Sequence, residues 1–464
     1  MRRPTVLAGA LLALALTGCS GEPRRSSVLL VVVDTLRQDH LGCYGYERDT
    51  SPHIDRLAAG AVRYAHAYAA ASWTTPSVAC LLTSRYPSEL GILTEPNRLD
   101  DRFVLLSEVL SGEGYATAAV VSHYFLGSQW NFGQGFDSFD ESSIRASHPT
   151  LPDGTSLGHS GVSSPSVTDS ALAFLRQPRD RPFFLFVHYF DPHYDYLEHE
   201  GYRFSRPGYE GPVRSGTPYT DLISQLASLD DEDRRHLVDL YDSEVAFTDE
   251  HIGRLLDGLE ELGLAEDTLV VLTADHGEEL LDRGNIGHGH SLYEEQIAVP
   301  LIVRYPGGDP RVVEESVGLV DLFPTLLSYL GVPIAHRISG RSFLGTGDDP
   351  SAARRPVFSE TDWGRSRSVV RRRLKLHLHL PSTQQRLFDL AVDPGERDDL
   401  LPRIAAGVPL GDGPDRPTRG DLQELQGRLE GWMETMERLR HEADSVDLTD
   451  EEKAQLRALG YLQD

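Results

Sequence analysis

The chain has 464 residues, 71 acidic against 44 basic, a formal charge of −27, with 40% apolar and 25% charged residues. That length and balance suit one large globular domain with an appendage, or two or three domains, and exclude a chain disordered throughout. The acidic surplus excludes nucleic acid as a partner, because phosphate-backbone binding rests on Lys and Arg. Only two lysines occur, Lys375 and Lys453, so an anionic substrate must be drawn in by something local, such as a metal ion.

In chain order, Arg2 and Arg3 precede the apolar run Val6 to Leu16, which meets Leu16-Thr17-Gly18-Cys19. A basic start and a short apolar stretch form an export signal, too short to span a membrane as a finished helix. The Leu-Thr-Gly-Cys ending resembles the lipobox of bacterial lipoproteins. That resemblance implies removal of residues 1–18 and lipidation of Cys19. The mature chain would then be exported and lipid-anchored to a bacterial membrane, in the periplasm or at the cell surface, with residues 19–27 as a tether. Export leaves Cys43 and Cys80, too few for a disulfide framework. One bridge between them and two free thiols both fit.

Val28 to Val33 is a continuous apolar run, the pattern of a strand buried on both faces of a central sheet. Similar runs are Thr117–Ser122, Phe183–Val187, Leu269–Thr273 and Pro300–Val303. Helical stretches lie between them at Ile54–Ala59, Val104–Leu110, Ser166–Leu175, Leu240–Leu262 and Leu319–Leu330. This alternation predicts an α/β fold, a large mostly parallel or mixed sheet sandwiched by helices, over residues 28–350. Residues 141–165 and 196–230 read as long surface loops rimming a site. From residue 351 to 464 the texture changes to a smaller α+β C-terminal subdomain. Its strand-like pieces are Val357–Glu360, Ser368–Leu380 and Arg386–Leu390. A helix, Asp421 to Leu439, follows with Leu425, Leu429, Trp432 and Met436 on one face.

Two strand ends carry the chemistry. The first strand runs into Asp34, and Leu269–Thr273 runs into Ala274-Asp275-His276-Gly277-Glu278. A carboxylate at the carboxyl end of a buried strand sits where α/β enzymes bind ligands. Carboxylate and imidazole together suit a divalent ion such as Zn²⁺, Mn²⁺, Ca²⁺ or Mg²⁺. Singly, Asp34 reads as a helix cap and His276 as a core histidine; two such ends in one domain favour a metal site.

The stretch Val31-Val-Val-Asp34-Thr-Leu-Arg-Gln-Asp-His-Leu-Gly42-Cys-Tyr-Gly45, with Ser51-Pro52-His53-Ile54-Asp55-Arg56-Leu57, resembles the opening of the sulfatase family of the alkaline phosphatase superfamily. Leu81-Leu-Thr-Ser-Arg-Tyr-Pro87, Gly135-Phe-Asp137, Asp191-Pro-His193, Ala274-Asp-His-Gly-Glu278, Gly287-His-Gly-His-Ser-Leu-Tyr-Glu294 and Leu387-Phe-Asp-Leu390 match further landmarks in order, and Leu459-Gly-Tyr461 closes the chain. The resemblance implies an alkaline phosphatase-like fold and ester hydrolysis at a divalent metal. It also marks departures. Sulfatases carry Cys-x-Pro-x-Arg or a Ser variant, whose first residue is oxidised to formylglycine. Here Ser72-Trp73-Thr74-Thr75-Pro76-Ser77-Val78 places Thr74 at that position and Val78 where Arg is expected, so no formylglycine is expected. Cys80 cannot stand in, because Leu82 lies where the Pro should be. Thr35 replaces a second family carboxylate. His123 and Gly289 occupy the positions of two family lysines, and His276 that of an Asn.

The set Asp34, Thr74, Asp275 and His276 instead resembles the metal site of the Thr-nucleophile phosphotransferases and phosphodiesterases of the superfamily. On that resemblance Thr74 is nucleophile and metal ligand, His193, His288 and His123 are catalytic, and His290 binds substrate. Which of His288 and His290 faces the substrate stays open, and both are candidates for a second metal. His188 reads as structural, Asp242, Glu244 and Asp249 as a solvated helix face, and Arg371-Arg372-Arg373 as an exposed strand or turn. Three functions follow: a metal-dependent hydrolase or transferase of phosphate esters, a sulfatase, or a non-catalytic lipoprotein binding an anionic glycan or headgroup. The expected substrate is a small-molecule, lipid-headgroup or glycan ester.

Overall fold

The computed structural model describes residues 25–93, 97–144, 162–345, 355–361, 365–408 and 417–443, with 446, 448–450 and 453. The export segment, Cys19, most of the 141–165 stretch and the closing Leu459-Gly460-Tyr461 lie outside them. No helix among the described residues is long and apolar enough to cross a membrane.

The Val28–Val33 run forms strand β1 (Ser27–Val33), and its residues are fully buried, as expected where both sheet faces are covered. Helix α1 (Pro52–Ala59), β2 (Val62–Tyr68) and α2 (Thr74–Thr83) follow. Then come α3 (Leu106–Gly112), β3 (Ala116–Val120), β4 (Ser138–Asp140), α4 (Ser164–Leu175) and β5 (Phe183–Tyr189). The long helix α5 (Asp231–Glu261) leads to β6 (Thr268–Ala274). A small hairpin, β7 (Glu279–Leu280) and β8 (Ile286–Gly287), precedes β9 (Ala298–Arg304), β10 (Arg311–Val313), β11 (Val317–Gly318) and α6 (Leu322–Leu330).

The main sheet has the order β10-β2-β9-β6-β1-β5-β3-β4, with β11 also on β2. Its central pairings β6-β1-β5-β3 are parallel and β9 is the reversed strand. The carboxyl ends of β1, β5 and β6 therefore open at one edge. Strands β12 (Val357–Glu360), β13 (Ser366–Arg371), β14 (Leu374–His379) and β15 (Gln384–Asp389) form a separate antiparallel sheet. Helix α7 (Arg419–Leu439) packs on it through Leu425, Leu429, Trp432 and Met436, all buried. Trp432 stacks on Phe358 at 5.0 Å between ring centroids. The buried Lys375 ammonium joins the two parts, reaching Glu294 at 2.7 Å and Glu396 at 3.2 Å.

Several expectations change. The helix expected from Leu240 begins at Asp231, because Asp230 caps it by accepting from the Glu232 and Asp233 amides. Its polar first turns carry no apolar period to read. Asp242, Glu244 and Asp249 on this helix are buried rather than solvated. Asp242 accepts from Tyr46 and Arg48 and pairs with His40, while Asp249 accepts from the His53 and Ile54 amides at the start of α1. Glu244 holds the Leu197 amide and His199. Acids on α5 thus secure loop backbone that would otherwise be orphaned inside the fold. The 196–230 stretch contains a short helix, Tyr219–Gln225. Ser368–Leu380 divides into β13 and β14 where Arg372 takes a left-handed turn conformation. Leu319–Asp321 is a 3₁₀ turn ahead of α6.

Cys43 and Cys80 are both free thiols. Cys80 donates to the Arg85 carbonyl and packs with Ala70, Tyr86 and Val320 in the cluster beneath the second sheet.

Candidate metal centre and active site

Parallel register brings the strand ends together. Val32 stands opposite His188 on β5 and Thr273 on β6, so Asp34 and Asp275, two residues further along, project on that same side. The chain turns away immediately after each carboxylate. Thr35 has φ 53°, a left-handed conformation that costs a β-branched residue about 1–2 kcal/mol. Its amide donates to Asp275 Oδ1 at 3.3 Å. Gly277 lets the chain fold back after His276, for a Cβ there would stand 2.3 Å from the Glu295 carbonyl oxygen.

Helix α2 supplies Thr74 as its first residue. The side chain of Ser77, one turn on, donates to the Asp275 carbonyl at 2.6 Å and ties the helix to β6. Thr74 Oγ1 lies 3.3 Å from His276 Nε2. In that first turn Pro76 has no N–H and the Ser77 amide bonds the Trp73 carbonyl, so the Thr74 and Thr75 amides are the ones that could face an anionic group.

Hydrogen bonds assign the tautomers. His276 Nδ1 donates to the Gly277 carbonyl at 2.9 Å, leaving the Nε2 lone pair 3.6 Å from Asp34 Oδ1 and 3.5 Å from Asp275 Oδ2. His288 Nδ1 is paired with Glu278 Oε1 at 3.2 Å, which leaves Nε2 outside that bond. His123 is opposite. Its Nδ1 accepts from the Phe125 amide at 3.1 Å, so Nε2 carries the proton, 3.9 Å from Asp34 Oδ2. His193 lies between these rings, 4.9 Å from His288 and 5.6 Å from His123.

Electrostatics point the same way. Asp34 and Asp275 are fully buried, and Asp34 Oδ1 and Oδ2 and Asp275 Oδ2 have no hydrogen-bond partner. Burial, then the charges of Asp275 and Glu278, push the Asp34 carboxyl well above the usual carboxylate range. Burial likewise raises Glu278 to about 8 and lowers His276 to about 4 and His288 to about 3, so both imidazoles are neutral. The Arg37 guanidinium is engaged by Asp39 and Asp282. Buried carboxylates with no Lys or Arg paired to them among the described residues, and the neutral His276 imidazole with its lone pair turned towards them, fit a divalent ion.

A family model described as Sulfatase matches residues 26–332, and one described as N-sulphoglucosamine sulphohydrolase, C-terminal, matches 288–405. The chain belongs to the sulfatase family. It is thereby an ester hydrolase. Arylsulfatase A of Homo sapiens is 28% identical, with 86% of this chain and 88% of that protein covered. A solved structure in complex with its substrate D-glucosamine-2-N,6-O-disulfate superposes with TM-score 0.70 at 19% identity, covering 89% of this chain and 99% of that one. The phosphonate monoester hydrolase of Agrobacterium radiobacter gives TM-score 0.65 at 22% identity, covering 89% and 95%. These likenesses establish the alkaline phosphatase-like fold.

Within this sulfatase-family site the structure gathers Asp34, Thr74, Asp275, His276, His123, His193 and His288. It does not bring in His290. The left-handed Gly289 turns the chain between the two imidazoles. His290 Nε2 lies 2.9 Å from Glu279 Oε2 and 2.7 Å from Gln296 Nε2. Sequence reasoning missed two residues. Glu278, which orients His288, stood in the quoted motif without a role. His188, read as structural, is fully buried with Nε2 3.8 Å from Asp34 Oδ2 and 3.9 Å from Asp275 Oδ2. A histidine amid apolar strand residues reveals its facing partners only once the register is known.

This arrangement separates the two loop histidines. His288→Ala is expected to lower kcat by about 10²-fold or more, the range of a positioned proton carrier. His290→Ala should stay within about 10-fold of the parent, since its ring is engaged by Glu279 and Gln296 rather than by the Asp34 and Asp275 carboxylates. Equal losses in steady-state assays would show that His290 also faces the substrate.

Proposed function

We propose that the protein is a metal-dependent hydrolase or transferase of phosphate esters in which Thr74 is the nucleophile and no formylglycine is formed. The observation that carries this reading is the Thr74 hydroxyl, first residue of α2, 3.3 Å from His276 Nε2 beside the Asp34 carboxylate and Asp275 Oδ2, which have no hydrogen-bond partner. Asp34, Asp275, His276 and Thr74 would hold the ion. A divalent cation supplies positive charge for an ester oxygen and makes a weak alcohol nucleophile acidic.

The chain's own groups do the rest. Thr74 Oγ1 forms a bond to phosphorus as the bond from phosphorus to the ester oxygen breaks. The Thr74 proton is released and the departing alkoxide takes up a proton. His123 Nε2–H donates to a phosphoryl oxygen, the task of a cation in a chain almost without lysines. In hydrolysis, water attacks phosphorus, its proton passing to the His288 Nε2 lone pair, and Oγ1 leaves and is reprotonated. An acceptor alcohol in place of water gives transfer. Threonine's single hydroxyl is consumed in a sulfo-threonine, which leaves no second oxygen on that carbon to expel sulfate by elimination.

A second reading, sulfuric ester hydrolysis, is favoured by relatives such as human arylsulfatase A. The deciding experiment is a paired screen of metal-loaded protein on aryl sulfate, phosphate monoester, phosphate diester and phosphonate. Higher kcat/KM on a phosphorus ester supports the first reading, and higher kcat/KM on the aryl sulfate supports the second.

We further propose an exported, Cys19-lipidated chain whose site faces water and acts on a small-molecule, lipid-headgroup or glycan ester. Two or more acyl chains suffice for stable anchoring. Mass spectrometry of the mature protein is expected to find an acylated N-terminal Cys19; an unmodified N-terminus elsewhere would refute the anchor.

A further inference from the structure

The imidazole of His188 is buried in the sheet, and neither ring nitrogen has a hydrogen-bond partner. Leaving such a polar group unsatisfied costs about 1–3 kcal/mol, and the polar atoms that face it are the Asp34 and Asp275 carboxylates. The backbone around it is fixed: β5 pairs with β1 through this residue, and Ser122 Oγ donates to the His188 carbonyl at 2.7 Å. The ring is directed at the two strand-end carboxylates. Ligand atoms of Asp34, His188 and Asp275 all lie within 4.8 Å of one another.

We propose that His188 is a direct ligand of the metal centre, giving it two imidazoles and two carboxylates beside the Thr74 hydroxyl, a donor set that prefers Zn²⁺-like ions to Ca²⁺. The inference rests on the metal-dependent reading above. The separations from His188 Nε2 to Asp34 Oδ2 and Asp275 Oδ2, 3.8 and 3.9 Å, and from His276 Nε2 to the same carboxylates, 3.6 and 3.5 Å, are of one kind. Ligands about 2.0–2.2 Å from a shared ion stand roughly 3.4 Å apart at tetrahedral angles and more at wider ones. His123 and His193 also approach Asp34, yet His123 has its lone pair on Nδ1, committed to the Phe125 amide. It is a donor to substrate, not a ligand. Thr35, beside Asp34, brings only a neutral hydroxyl.

Selectivity follows from the donor set. Ca²⁺ takes six to eight oxygens, whereas imidazole nitrogen suits Zn²⁺ and its first-row neighbours. Two carboxylates also balance the charge of one divalent ion, so the buried pair is neutralised without a lysine.

X-ray absorption of the Zn²⁺-loaded wild type should count at least two imidazoles, and His188→Gln should count one fewer. Zn²⁺ affinity in that variant should fall by more than the ~10–100-fold typical of losing an outer partner, and wild type should bind Zn²⁺ more tightly than Ca²⁺. An unchanged imidazole count in His188→Gln, or tighter Ca²⁺ binding by wild type, overturns the proposal. If His188→Gln does not fold, the same count in His288→Gln decides: an unchanged number supports His188, and a lost imidazole overturns it. Asp275→Asn, measured in parallel, separates the two levels. Full metal content there defeats the metal-dependent reading itself, while loss there with an unaffected His188→Gln defeats only the role of His188.

Discussion

Asp275→Asn is expected to leave the protein with little bound divalent metal and no measurable turnover. Asp275 Oδ1 accepts from the Thr35 amide at 3.3 Å and the His276 amide at 2.8 Å, and an Asn carbonyl can keep both bonds. The change then falls on Oδ2, which has no partner and lies 3.5 Å from His276 Nε2. An amide NH₂ there replaces a charged acceptor by a donor, which cannot ligate a cation. Stability separates this from misfolding. In the metal-free protein Asp34 and Asp275 repel each other, and the charge of Asp275 helps to raise the Asp34 carboxyl. Against the cost of burial, His276 holds the Asp275 carboxyl below its ordinary range, which offsets that repulsion, so removing the charge should change the melting temperature in chelator little. With metal added, only the parent should gain further, because a ligand that binds the native state stabilises it by mass action. Elemental analysis and thermal melts with and without chelator check both parts. Full occupancy in the variant would refute the assignment.

The site could be read from the sequence where chemistry and position coincide locally. Asp34 and Asp275 each follow an apolar run, so their place at strand ends follows from the burial pattern alone. Thr74 came from resemblance, since helix α2 is apolar and small-residue rich and gives no amphipathic period; its ten residues are all buried. Residues that matter through long-range register were hidden. His188 and Asp34 lie 154 positions apart and meet only because β5 pairs with β1 from Val28 opposite Phe184. The acids of α5 misled for the opposite reason. Asp242, Glu244 and Asp249 read as a wet face because charge ordinarily marks solvent, yet each is buried with amide, hydroxyl, guanidinium or imidazole partners from loops or from the first turn of α1. The orientations of His288 and His290 depend on a left-handed glycine between them, and a sequence pattern says nothing of which way each ring turns.

Thr74→Ala is expected to lose activity by about 10³-fold or more, and Thr74→Ser to retain part of it, with phosphoesters preferred to matching sulfates in the parent. The methyl group removes the only hydroxyl placed on α2 against His276 Nε2, taking away both the attacking oxygen and one donor to the ion. A serine keeps an oxygen at the same position and loses only the γ-methyl that fixes its rotamer. Its kcat should drop by a smaller factor with KM little changed. The covalent step gives a readout that rate alone does not. On a slow phosphoester, rapid quenching and mass spectrometry should find a phosphorylated peptide spanning Thr74 in the parent, a phosphoserine peptide in Thr74→Ser, and none in Thr74→Ala. Because threonine offers a single hydroxyl, a sulfated peptide on aryl sulfate should form slowly if at all and persist once formed. Two outcomes would defeat this reading. A Thr74→Ala protein near full rate would mean that water attacks directly. Rapid, repeated turnover of aryl sulfate by the unmodified chain, faster than of the matching phosphate, would mean that a threonine sulfate is opened by attack at sulfur, with His288 Nε2 placed to take the proton from the attacking water.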